Sequence, residues 1–188
     1  MPAEERRAQL RAAALRIIGE QGYSGLTVEA ISAAAGVTKP VLYSAYPTLA
    51  ALLKDLLDRT QTDALSQLMA AVTGPSMTPS QMTRAWLGIV QEHPRTWVPI
   101  LRIGPGTPDA VVQRISRGRR TVTAALAQAL ADAYGGDQVP RYEAAAQAFV
   151  AAAEHFGRTL VTAPDEVDVD VVAHLFDDLV RGLRPCRD

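Results

Sequence analysis

One cysteine, Cys186, is all that 188 residues provide. A single thiol closes no internal disulfide, so the fold has to be held by its core, and a reducing cytoplasm is the expected setting. Long apolar runs are missing too, since nothing approaches the roughly 18 apolar residues that span a bilayer. The opening stretch, MPAEERRAQLRAAALRIIGEQG, sets charges inside its apolar part and so departs from a secretory signal. We therefore expect a soluble, cytoplasmic chain with no membrane partner. A charge excess of either sign is also absent. Nineteen Lys and Arg against twenty Asp and Glu leave a net charge of −1, and no global basic field announces nucleic acid. Any phosphate contact has to come from a few placed side chains and helix N-termini.

Enzyme templates are missing as well. His93, His155 and His174 are scattered and lack the H-E-x-x-H spacing of a metal site. No Gly-rich phosphate loop follows a strand. The acidic neighbours Asp165-Glu166 and Asp177-Asp178 point to different faces if they are helical. The reading is that the chain is not an enzyme and uses neither metal nor cofactor.

What is present is helix. Hydrophobic residues make up 48% of the chain, Ala is abundant, and Ala has the best intrinsic helix propensity. Apolar residues recur at helical spacing almost throughout, and no alternating strand pattern is long enough to trust. The expected fold is all-α with about nine helices. An N-terminal three-helix domain, residues 1–47, precedes a helical bundle over residues 48–188. The first helix runs from about Glu4 to Gln21, with Leu10, Ala13, Ala14, Ile17 and Ile18 inward and its arginines mostly on other faces. Gly74-Pro75, Gly104-Pro105-Gly106 and Gly135-Gly136 are breakers between later helices. The last helix is expected from about Val167 to Leu183.

The stretch from Thr27 to Tyr46 carries the functional signal. Thr27 is an N-cap, and Val28, Ile31, Ala34 and Ala35 form one apolar face. Gly36 suits a left-handed exit from the helix. Thr38 then caps a second short helix with Pro40 in its first turn. Leu42 faces inward, while Lys39, Val41, Tyr43 and Ser44 are left facing outward. A short helix, a Gly-containing turn and a short helix with a polar outer face are the parts of a helix-turn-helix.

The string from Ile31 through Tyr43 (ISAAAGVTKPVLY), with Tyr46 after it and Gly22 to Val28 before it, resembles the DNA-binding signature of the TetR family of bacterial repressors. The resemblance implies a homodimeric repressor bound to a pseudo-palindromic, double-stranded operator and released by a small hydrophobic effector. It implies DNA contacts from Thr27, Thr38, Lys39, Pro40, Val41, Tyr43, Ser44 and Tyr46. It also implies that the fourth helix, starting near Thr48, passes movement from effector to DNA. Three positions depart from the family pattern. Leu49 stands where a phosphate-contacting Lys is common, Ala45 where a His is usual, and Ser32 where Ala is typical. Lys39, Tyr43, Ser44 and the amides of Thr27 and Thr38 are therefore expected to carry more of the contact.

Beyond this stretch, Met69, Met82, Trp86, Trp97, Phe149 and Phe156 are large apolar side chains on several helices, with His155 a polar neighbour. In a bundle they line a ligand cavity or fill the core, and the sequence leaves both open. A filled core would make the chain an effector-independent DNA-binding or structural protein of the same fold. Small residues such as Ala148 and Ala152, with Val171, Leu175 and Leu179, let two helices approach a partner surface. The resemblance implies a dimer interface there, although an intramolecular bundle uses the same pattern.

Overall fold

The computed structural model describes residues 1–71, 77–134 and 139–182. Gly74-Pro75, Gly135-Gly136, Leu183 and Cys186 lie outside the described residues, as does the Met69 side chain. The described residues form nine α-helices and two 3-10 turns, and no strand occurs among them. The helices are α1 (Ala3–Gln21), α2 (Val28–Ala35), α3 (Lys39–Ala45), α4 (Leu49–Ala71), α5 (Pro79–Glu92), α6 (Pro94–Leu101), α7 (Asp109–Tyr134), α8 (Val139–Thr162) and α9 (Val169–Arg181). Among the described residues no helix is long and apolar enough to cross a membrane.

The chain packs as two compact units. The first comprises Met1–Ser66 and His93–Val112. Here α1 starts with Glu4 and Glu5 in its first turn, where carboxylates suit the positive end of the helix dipole, and stops at Gly22 with φ +73°. It packs against α2, α3 and α6. Leu10, Ile18, Ile31, Leu42, Leu52 and Leu56 are fully buried. Each such side chain contributes about 1.5–3 kcal/mol, against about 0–1 kcal/mol for an exposed ion pair, so the apolar core sets this fold. Trp97, Val98 and Leu101 bury the inner face of α6. The buried Tyr23 hydroxyl donates to the Pro99 carbonyl oxygen at 2.7 Å, and burial raises the pKa of that phenol.

The second unit comprises Gln67–Glu92 and Gln113–Asp188. Within it α5 packs on α8 and α9. The inward stripe of α9, Val172, Ala173, Phe176 and Val180, is buried, and Phe176 stacks on Phe149 with ring centroids 5.5 Å apart. Polar bonds fix the register: Ser80 N–H donates to Asp177 at 2.9 Å, and Arg84 Nε to Asp170 at 2.7 Å. The last helix begins slightly later than its apolar pattern suggests. Pro164–Glu166 forms a 3-10 turn, and Asp168 caps α9 by accepting from the amides of Asp170 and Val171.

Candidate nucleic-acid interface and apolar cavity

The turn between α2 and α3 is built from local rules. The Thr27 hydroxyl accepts from Ala30 N–H at 3.1 Å, the N-cap its position predicts. Gly36 sits at φ +64°, ψ +36°, a left-handed conformation that costs an L side chain roughly 1–2 kcal/mol. Its amide and that of Val37 return to the Ala33 and Ser32 carbonyls. Ile31 and Leu42 are fully buried, one from each helix. The Ser32 hydroxyl is buried and has no hydrogen-bond partner among the described residues.

On the outer side, Thr38, Lys39, Pro40, Tyr43 and Ser44 are exposed and Val41 is half-buried. Thr38 occupies the N-cap position, but contrary to expectation its hydroxyl caps nothing. The helix start is held by its carbonyl, which accepts from Val41 and Leu42 N–H. The Ser44 hydroxyl donates to the Val41 carbonyl at 2.8 Å. Lys39 Nζ pairs with Glu29, and that pairing lowers the Glu29 pKa and raises that of Lys39.

Tyr46 is a correction to the sequence reading. Expected with the DNA-facing residues, it is 4% exposed, and its hydroxyl donates to Asp55 of α4. The same hydroxyl accepts from Arg11 Nη1 of α1 at 3.2 Å. Burial, then the hydrogen bond to Asp55, pushes the Tyr46 pKa up to about 12. Arg11 is 8% exposed and also bonds Asp55 and Glu4 at 2.8 and 2.9 Å. Arg59 adds bonds to Glu4 and Asp55. Burial alone would lower the Arg11 pKa, but these three hydrogen bonds raise it on balance. For Asp55, burial pushes upward and is outweighed by hydrogen bonds from Tyr46 and Arg11, so its carboxyl lies below the usual range. Reading the α1 arginines as surface residues missed this network. Arg11 stands three and seven residues before the buried Ala14 and Ile18, and an arginine on an apolar stripe requires a carboxylate partner.

In the second unit a cavity of about 350 Å³ opens among α5, α7, α8 and α9. Met82, Trp86 and Phe149 line it, joined by Met77, Leu126, Leu130, Phe176 and Val180, which the sequence did not single out. Its polar side chains are already engaged. Trp86 Nε1 donates to the Ala153 carbonyl at 3.3 Å, and the Thr83 hydroxyl to that of Pro79 at 2.9 Å. No charged side chain is among the described lining residues. Three expected members are elsewhere. Trp97 is a core residue of the first unit at 4% exposure. His155 is exposed and its ring meets that of Phe156 edge-on, and neither lines the cavity. Helical spacing reports which residues share a face but not which helices surround a space.

The outward stripe of α9 is apolar as well. Val171, Leu175 and Leu179, spaced by four, are 64%, 43% and 43% exposed. On α8, Ala148 is exposed and Ala152 half-buried. Among the described residues no three His, Cys, Asp or Glu side chains converge to hold a metal.

Comparison with known proteins gives consistent matches. The model of bacterial regulatory proteins of the tetR family matches residues 10–56, and that of the tetracyclin repressor-like C-terminal domain matches residues 76–182, more than half the chain. A TetR-like transcriptional regulator from Rhodococcus sp. RHA1 has a similar structure, with TM-score 0.77, 26% identity, and 97% of this chain and 98% of the other covered. A TetR-family regulator from Streptomyces coelicolor gives TM-score 0.67 at 23% identity over 96% and 94% of the two chains. A second Rhodococcus transcriptional regulator gives TM-score 0.70 at 17% identity over 94% of each. No curated protein matches by sequence.

Proposed function

Because this chain belongs to the TetR family of bacterial transcriptional regulators, we propose that it is a homodimeric repressor that leaves its operator when a small, uncharged apolar molecule binds. As a member of that family it is a DNA-binding transcriptional regulator and not an enzyme. Residues 1–47 read DNA in this proposal, and residues 48–188 bind the effector and dimerise in the cytoplasm.

The observation that carries the reading is the two-sidedness of α3. Leu42 is buried, while Lys39, Pro40, Tyr43 and Ser44 are exposed. Lys39 and Val41 are assigned to base edges in the major groove, and Tyr43 and Thr27 to phosphate. Dimerisation through the outward stripe of α9 and the small face of α8 would space two reading helices about 34–36 Å apart and call for a pseudo-palindromic site. For the effector, the cavity favours an apolar ligand without ionised groups. A charge placed among Met82, Trp86 and Phe149 would be desolvated and unpaired. Such a ligand releases DNA only by binding the non-operator conformation more tightly.

The test is selection of bound sequences from a random duplex pool, followed by retardation assays on the selected site. Tyr43→Ala should weaken binding to all sequences alike, and Lys39→Ala should change preference at one base pair, each by about 1–3 kcal/mol. Unchanged retardation in both variants would remove α3 as the reading helix.

A further inference from the structure

The one lysine of α3 is engaged before any DNA arrives. Lys39 Nζ donates to Glu29 Oε1, a carboxylate in the first turn of α2. Both side chains stand in the open, 52% and 66% exposed, so the pair adds nothing to the core. It lies instead on the exposed side of the helix pair, where Lys39 also interacts electrostatically with Tyr43 one turn on. A carboxylate there opposes indiscriminate DNA binding. Non-specific affinity arises from cations that neutralise phosphates and release counterions. A lysine already neutralised by a carboxylate releases none. A guanine edge differs from phosphate because its O6 and N7 present two acceptors at a place set by sequence.

We propose that Glu29 is a specificity-determining residue, which holds the Lys39 ammonium against capture by phosphate and yields it only where an aligned guanine edge takes it. The inference rests on α3 being the DNA-reading helix. Exposed pairs of this kind are held weakly, which is what exchange of the lysine between carboxylate and base requires.

The experiment compares wild type, Glu29→Gln, Lys39→Met and the double variant. Each is titrated against the selected operator and a random-sequence duplex of equal length, from 50 to about 200 mM salt. Glu29→Gln frees one lysine on each reading head, so it should steepen the salt slope by about 0.9 per head and tighten the random duplex by roughly eight-fold per head at 0.1 M salt, roughly sixty-fold for the dimer. The operator should tighten less, so discrimination falls. In the Lys39→Met background, Glu29→Gln should alter neither duplex by more than about two-fold, within the additivity expected of uncoupled sites. Equal tightening with and without Lys39 overturns the proposal, since Glu29 would then act only as bulk negative charge. A companion Tyr43→Ala titration separates the two levels. Weakened binding there, with unchanged discrimination in Glu29→Gln, leaves α3 as the reading helix and overturns the role of Glu29. Retardation untouched by both Tyr43→Ala and Lys39→Met overturns the α3 reading and this inference with it.

Discussion

Replacing Asp55 by Ala removes the acceptor on which α1, α4 and Tyr46, the residue that ends α3, converge. Asp55 takes hydrogen bonds from the Tyr46 hydroxyl, from Arg11 Nη1 at 2.8 Å and from Arg59 Nε at 3.3 Å. The Arg59 bond, on a side chain 53% exposed, counts for about 0–1 kcal/mol. The Arg11 bond counts for more, because that side chain is only 10% exposed and hydrogen bonds to charged groups contribute about 1.5–3 kcal/mol. Leaving the Tyr46 hydroxyl without its acceptor adds about 1 kcal/mol or more. Arg11 keeps Glu4 as a partner, but that carboxylate is 58% exposed and compensates only in part. The expected cost is about 3 kcal/mol, at the lower end of what breaking a buried ion pair costs. For a chain of this length it lowers Tm by about 6–12 °C. Asp55→Asn, which keeps one acceptor, should cost roughly half as much. The pH dependence has a definite sign. The folded Asp55 pKa lies below its ordinary 3.8, so its stabilisation is complete above that value and is lost as pH falls through the lower folded pKa. The gap between wild type and Asp55→Asn should therefore close as pH drops below about 3.8. Circular dichroism during thermal and urea unfolding measures both effects. The reasoning fails if Asp55→Ala lies within about 0.5 kcal/mol of wild type at pH 7. It fails equally if Asp55→Asn and Tyr46→Phe add to within about 0.5 kcal/mol, as residues that do not interact do.

Ser32→Ala removes a buried hydroxyl that has no partner among the described residues and should raise stability by about 1 kcal/mol; an equal loss in urea unfolding would mean that the hydroxyl is bonded after all. Leu175→Asp, at a position 43% exposed, should leave helix content intact and yield monomers by light scattering, and a monomeric wild type at micromolar concentration would count against the α9 interface. A medium-chain alcohol should perturb Trp86 fluorescence and release operator together, while the carboxylate of equal length does neither. That response should vanish in Trp86→Ala and survive in Trp97→Ala, which lies in the other unit; the opposite pattern would move the pocket.

The helix-turn-helix stretch, residues 27 to 45, was legible by itself in all but the Thr38 hydroxyl cap, because its determinants are local. The Thr27 cap reaches three residues to Ala30, and at the left-handed Gly36 the amides of Gly36 and Val37 close onto carbonyls three and five residues back, respectively. The periodicity that buries Ile31 and Leu42 needs no knowledge of the rest of the chain. The start of α9 was nearly legible for the same reason, since Asp168 stands as an N-cap before an apolar run. Arg11 and Tyr46 were misjudged, and Trp97 was left open between cavity and core, because their settings are long-range. Arg11 meets Tyr46 and Asp55 at separations of 35 and 44 residues, and Trp97 shares a core with helices more than 40 residues before it. The cavity is the same kind of fact: Met82, Trp86 and Phe149 face a common space only because α5 and α8 pack side by side. Hydrophobic spacing and capping thus determined from sequence which faces turn inward and where helices start and stop. Tertiary packing alone decided which inward face meets which, because burial is non-directional and a helical stripe specifies that it must be covered without specifying by what.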